Sequence, residues 1–272
     1  MSLNVLILVG GLSERMGRDK ALIQRPDGTR QIDHIIALAK SVSANVFLSA
    51  RDSDARDTGL PVIADLEPGA GPLGALASAS AAHPGPWLGL GCDLFLLDEP
   101  TIRFLIEHHD PANGSTAFRN RIDGRPEPLC AIYEASSISK AAGFSKDTRC
   151  ARKFLESLQP ILLDLPHPAA LDNANTPLEL AEAFQKLTHG VTSKSVQLLY
   201  FAALREARGL SSETVQTLAC TTAGLYEELR FRHRLPLSTD QLRVAKNGEF
   251  ADWDSAVSSG DELVFIPPVA GG

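Results

Sequence analysis

Residues Asn4–Val9 read NVLILV and run without a break into Gly10-Gly11. A run apolar on both alternating faces suits a strand covered on each side, as in a parallel sheet. Glycines placed directly after it let the chain turn tightly at the sheet edge. Together they predict an α/β fold whose first loop opens at the carboxyl end of its first strand, where such sheets bind ligands. Further apolar runs follow at Val46–Ser49, Val62–Asp65 and Leu88–Leu94. Helical spacings separate them: Ile32, Ile35, Ile36 and Ala39, then the Ala-rich stretch Pro72–Ala82 with proline in its first turn, and a late helix after Thr176-Pro177.

At 272 residues the chain exceeds one domain of about 150 residues. His189–Ser195 is small and polar and reads as a linker. Beyond it, Val196–Phe201 starts a fresh strand, Thr222–Arg234 a helix, and Leu242–Lys246 a strand ending in the hairpin signal Asn247-Gly248. Leu263–Ile266 is a last strand before Pro267-Pro268 and a Gly271-Gly272 tail. The expectation is a mostly parallel, Rossmann-like domain over residues 1–188, a linker over 189–195, and a small α+β domain of ubiquitin-like type over 196–272.

Charge and cysteine usage narrow the function classes. A net charge of −7 argues against coating nucleic acid, while leaving room for a local basic pocket. The longest apolar stretch, Val5–Gly11, falls far short of the ~20 residues of a membrane span. No basic region precedes it as in a secretion signal. Cys92, Cys130, Cys150 and Cys220 are scattered, with no CxxC pair, which points to a reducing compartment and no zinc site. A cytoplasmic location is expected, with no membrane and no nucleic acid among the partners.

The first loop continues as Leu12-Ser13-Glu14-Arg15-Met16-Gly17-Arg18-Asp19-Lys20. Successive N–H groups in such a loop form an anion nest. Arg15 can grip phosphate oxygens in a fork and Lys20 can add a mobile point charge, or both are the solvated charges of a surface loop. Neither G-x-x-x-x-G-K-[ST] nor G-x-G-x-x-G occurs there. Asp93 closes the apolar run Leu88–Leu94, so its carboxylate is expected at the rim of the sheet, either binding Mg2+ or capping the next turn.

The string from Leu8 to Lys20 resembles the L-A-G-G-x-S-x-R-M-G-x-D-K signature of the molybdenum cofactor guanylyltransferases, the MobA family, with Val9 in place of the usual alanine. Asp65-Leu66-Glu67-Pro68-Gly69-Ala70-Gly71-Pro72-Leu73-Gly74, Gly91-Cys92-Asp93 and Asn173-Ala174-Asn175-Thr176-Pro177-Leu178-Glu179-Leu180 resemble three further segments of that family, in the same order. The resemblance implies transfer of GMP from GTP to molybdopterin with release of pyrophosphate. It implies nucleotide or pterin contacts at Leu8, Gly10, Gly11, Ser13, Lys20, Asp65, Gly71, Gly74, Asp93, Asn173 and Asn175, with Mg2+ at Asp93 and catalysis by Arg15, Lys20 and Asp93. Asn173 and Asn175 read equally as residues of the helix start that follows. Arg119, Arg121, Arg125, Arg149, Arg152 and Lys153 flank two loops and are read as loop charge.

From Val196 onward the chain resembles the small subunit of molybdopterin synthase, the MoaD family, in its opening strand and in its ending G-D-E…P-P-V-x-G-G. That implies a β-grasp fold and a sulfur carrier whose Gly272 carboxylate becomes a thiocarboxylate. Its partners would be the large synthase subunit and an adenylating and sulfurating enzyme. Lys246 stands where the family has an apolar residue before Asn247, which points to an altered partner contact. Two other readings remain: a cytidylyltransferase on the same fold, and an inactive first domain that scaffolds the carrier.

Overall fold

The computed structural model describes residues 3–9, 19–50, 57–67, 70–145 and 148–267. Its chain divides into two compact units, residues 1–173 and 174–272.

The first unit runs β1 (Asn4–Leu8), α1 (Gln31–Val42), β2 (Asn45–Ala50), β3 (Val62–Ala64), α2 (Gly71–Ala82), β4 (Trp87–Gly91) and α3 (Glu99–Glu107). It continues with β5 (Ser115–Arg119), β6 (Pro126–Tyr133), α4 (Ala135–Ile138), α5 (Ala141–Phe144), α6 (Ala151–Ser157) and β7 (Ile161–Leu163). These strands form a seven-stranded sheet in the order β3-β2-β1-β4-β6-β5-β7. Strands β3, β2, β1 and β4 are mutually parallel, and β6 runs antiparallel to both β4 and β5. The apolar character of β1 has the expected cause. Val5 and Ile7 face one core with α1 and α3, while Leu6 and Leu8 face a second core with α2, α5 and α6.

The second unit holds α7 (Pro177–His189), β8 (Lys194–Tyr200), α8 (Ala202–Arg208), β9 (Ser212–Thr217), α9 (Thr222–His233), β10 (Arg243–Lys246), β11 (Glu249–Ala251) and β12 (Glu262–Ile266). Its five strands are ordered β11-β10-β12-β8-β9, with β12 and β8 parallel at the centre and antiparallel neighbours outside. This is the β-grasp arrangement. Val196, Leu198 and Tyr200 alternate inward against Leu225, Tyr226 and Leu229 of α9. Trp253 stacks on Phe265 with ring centroids 6.0 Å apart. Asn247 and Gly248 both take positive φ, 52° and 87°, between β10 and β11, as a tight Asn-Gly hairpin requires.

The late helix, read from sequence with the first domain, lies in the second unit. Helix α7 packs on α9, and the compact division falls between Asn173 and Ala174. Among the described residues, no helix is long and apolar enough to cross a membrane.

Candidate functional site

Parallel β3, β2, β1 and β4 bring their carboxyl ends to one edge of the sheet, where Asp65 and Asp93 follow β3 and β4. Lys20 opens a 3-10 turn over Lys20–Leu22, capped by the Asp19 carboxylate accepting from Ala21 N at 3.0 Å. Its ammonium lies 3.9 Å from Asp93 Oδ2, with about one-sixth of each side chain exposed. That spacing is an ion pair and not a hydrogen bond. Strand β4 stops at Gly91, so Asp93 sits in the turn beyond it. A Cβ on Gly91 would fall 2.7 Å from Asp93 Oδ1 and 3.0 Å from Leu129 Cβ. Glycine there leaves the space the carboxylate occupies. Burial pushes the Asp93 carboxyl above its usual range, against the opposing pull of Lys20.

Asp65 follows β3 directly and accepts a hydrogen bond from Ser49 Oγ at 3.1 Å. Gly71 and Gly74 lie in the first turn of α2, whose start carries Pro72 and no side-chain cap. Gly74 is close-packed, since a Cβ on it would meet Ala70 Cβ at 2.4 Å. Leu8 buries its side chain in the core, and its carbonyl accepts from Cys92 N at 3.2 Å, tying β1 to the Asp93 turn. Gly10, Gly11, Ser13, Arg15 and Gly272 lie outside the described residues.

Asn173 ends the first unit, and its Oδ1 is buried with no hydrogen-bond partner. Asn175 begins the second, its N–H donating to Glu179 Oε2, while Thr176 and Glu179 close a capping box on α7. The N-cap of α7 is Thr176, and Asn173 retains an unused acceptor. The middle arginines are held within the first unit. Arg121 forks onto Asp172 with both bonds at 2.8 Å, Arg125 forks onto Glu156, and Arg119 meets Asp164 at 3.3 Å.

Sequence reasoning missed Glu127. It is 1% exposed at the start of β6, and antiparallel β6 begins at the edge where β4 ends. Its carboxylate accepts from Leu129 N at 3.2 Å and from Arg152 Nη2 at 3.3 Å, while Arg152 Nη1 also donates to Asp123 Oδ2 at 2.9 Å. Burial raises its pKa, Arg152 opposes the rise, and the Asp93 charge adds to it. The available signal was a carboxylate between two prolines at the head of an apolar run, Pro126-Glu127-Pro128.

Among the described residues, no group of three or more His, Cys, Asp or Glu side chains is placed to hold a metal ion. A lone carboxylate at a strand end suits Mg2+, which takes one or two protein carboxylates and completes its shell from phosphates and water. Asp93, with an adjacent cation for phosphate, fits that ion.

Residues 5–161 match the family described as the MobA-like NTP transferase domain. The chain belongs to this family. Residues 198–272 match the ThiS family, which makes the carboxyl-terminal β-grasp a ThiS/MoaD-like domain. A "Molybdenum cofactor biosynthesis bifunctional protein" of Synechocystis sp. is 31% identical over 179 residues, covering 63% of this chain and 51% of its own. The chain therefore spans about half the length of that relative. The molybdenum cofactor guanylyltransferase of Pseudomonas syringae pv. tomato is 31% identical over 185 residues, covering 65% of this chain and 91% of its own. The crystal structure of molybdopterin-guanine dinucleotide biosynthesis protein A from Archaeoglobus fulgidus shares the fold. Its TM-score is 0.59 at 20% identity, over 68% of this chain and 99% of that one.

Proposed function

We propose that the first unit transfers GMP from GTP to molybdopterin and that the second carries sulfur as a thiocarboxylate on Gly272. The Lys20–Asp93 pair at the carboxyl edge of a MobA-like sheet carries the first half. An oxygen of the molybdopterin phosphate attacks the α-phosphorus of GTP. The bond from that phosphorus to the bridging oxygen breaks, and its electrons leave with pyrophosphate. The attacking phosphate is already anionic, so no general base is needed. Negative charge grows on the leaving pyrophosphate, where Lys20 and Arg15 offset it and the amides of the glycine loop orient it. Asp93 would hold Mg2+, which would supply charge neutralisation for the phosphates. The unused Oδ1 of Asn173 supports a substrate contact there.

For the carrier, the outer face of the β-grasp sheet supports docking of a synthase large subunit. Phe250, Ala245, Val264 and Leu199 stand side by side across β11, β10, β12 and β8. Phe250 is 71% exposed there. The Lys246 ammonium meets Asp261 Oδ2 at 3.0 Å and Ala256 O at 2.7 Å. An adenylating enzyme would activate the Gly272 carboxylate before sulfur replaces one of its oxygens.

The test is incubation of the purified chain with molybdopterin, Mg2+ and either GTP or CTP, with dinucleotide product as the readout. Product with GTP alone is expected. Product with CTP overturns the guanine assignment, and no product with either favours an inactive first unit that scaffolds the carrier.

A further inference from the structure

The turn after Asp93 is held by side chains from one short segment that follows Lys20. Arg25 Nη1 donates to Phe95 O at 2.8 Å and to Gln31 Oε1 at 2.7 Å. Gln31 Nε2 donates to Leu94 O at 3.3 Å, and His34 Nε2 lies 3.0 Å from Leu97 O. Three carbonyls within four residues of Asp93 are thus satisfied by residues 25–34. The segment is rigid in its own right, with Arg25 N bonded to Thr29 O at 2.8 Å and Gln31 N to Ile23 O at 2.9 Å. Ile23 in turn caps the 3-10 turn that carries Lys20. One end of this brace is therefore Lys20 and the other is Asp93, whose charged groups stand 3.9 Å apart.

Arg25 and Gln31 are both buried, Gln31 completely. Arg25 Nε makes no hydrogen bond, and Asp27 Oδ2 lies 3.8 Å from it. A buried guanidinium loses its hydration and recovers it only through well-made bonds, and an apolar side chain of similar volume fills such a space without that loss. Stability alone gives Arg25 little reason to be charged. Placement of the carbonyls beside Asp93 gives it one.

We propose that Arg25 is a positioning residue for nucleotidyl transfer: through Gln31 and the carbonyls of Leu94 and Phe95 it fixes the Asp93 turn relative to the Lys20 turn. This rests on the reading of the first unit as the transferase. Lys20 and Asp93 meet the same triphosphate, and a displacement of about 1 Å between such groups can cost on the order of 100-fold in rate.

The experiment compares Arg25→Met and Arg25→Lys in the full chain. It measures steady-state kinetics with GTP and molybdopterin, Mn2+ affinity by electron paramagnetic resonance with GTP present, and thermal unfolding. Arg25→Met keeps the volume and removes the fork. It is expected to lower kcat about tenfold or more with KM for GTP within about twofold, and to weaken Mn2+ binding. Arg25→Lys, which keeps a charged donor nitrogen on a shorter side chain, is expected to recover part of both. An Arg25→Met chain with lowered Tm but wild-type kcat and Mn2+ affinity overturns the proposal, because Arg25 then only stabilises. If Arg25→Met does not fold, Gln31→Leu breaks the same link and is judged by the same two outcomes. A wild-type chain that forms no dinucleotide defeats the transferase reading, while the Mn2+ affinities still report whether Arg25 holds Asp93.

Discussion

Glu182 Oε2 accepts both the backbone N–H and the hydroxyl of Thr221, at 2.7 and 2.8 Å. Its other oxygen accepts from Cys220 N and lies 3.1 Å from Lys186 Nζ. Thr221 is the N-cap of α9, so a carboxylate from α7 sits at the positive end of that helix. Gly224 makes room for it, since a Cβ there would lie 2.6 Å from the carboxylate.

Glu182→Ala removes the carboxylate 3.1 Å from the buried Lys186 ammonium and the acceptor at the start of α9. Losing one member of a buried pair costs about 3–5 kcal/mol. The second unit should lose stability by about that amount. Urea unfolding of a Trp87→Phe background, read by Trp253 fluorescence, isolates this unit. A loss under about 1 kcal/mol would show that α7 contributes little to the carrier fold.

Gly91→Ala should act on the transferase. The added methyl meets both Asp93 Oδ1 and Leu129. Because β4 is clamped between β1 and β6, the carboxylate is the group free to move. A fall of about 10–100-fold in kcat is expected from such a shift, with the far-UV circular dichroism retained. Wild-type kcat would mean that Asp93 relaxes without consequence.

Acid should weaken the second unit in a defined window. The Arg208 fork onto Glu213, helped by the Tyr200 hydroxyl, holds the Glu213 carboxyl below its ordinary value of 4.5. A lowered folded-state pKa means that this contribution is complete above the unfolded value and is lost as pH falls through the folded one. Unfolding free energy should therefore drop as pH falls below about 4.5. Glu213→Gln should flatten that part of the profile. An unchanged slope in the variant would assign the acid sensitivity to other carboxylates.

Val264→Asp places a charge in the middle of the outer sheet face, where Val264 pairs with Ala245 on one side and Leu199 on the other. The inward core is untouched, so the unfolding free energy should change by no more than about 1 kcal/mol. Binding to a molybdopterin synthase large subunit, measured by calorimetry, should weaken at least tenfold. Intact mass after incubation with an adenylating and sulfurating enzyme tests the other end of the carrier: one oxygen of Gly272 is expected to be replaced by sulfur, and Gly272→Ala is expected to block it.

The sequence by itself determined the parts that depend on near neighbours in the chain. NVLILV has apolar groups on both faces, so it had to become a covered strand, and it did. Asn247-Gly248 had to turn the chain, because both positions take positive φ. Lys20 and Asp93 were legible because each ends or opens a local element, and those local elements carry the family's signature segments. Strand β9 could not be placed from sequence because SETVQT buries only two residues fully and otherwise shows polar groups. Strand β6 went unread because its direction is set by the neighbours it pairs with, not by its own residues.

Only the tertiary structure decided which charges meet. Arg25 finds Phe95 across 70 residues, and Glu182 finds Thr221 across 39. Both look like surface residues in sequence, because a charge is normally left in water. Each became buried because the fold supplied polar partners at the right distance, which offsets the lost hydration. For the same reason α7, continuous in sequence with the first domain, was claimed by the second unit. A helix joins whichever surface covers its apolar side and satisfies its buried carboxylate, and that surface is assembled only when the chain folds.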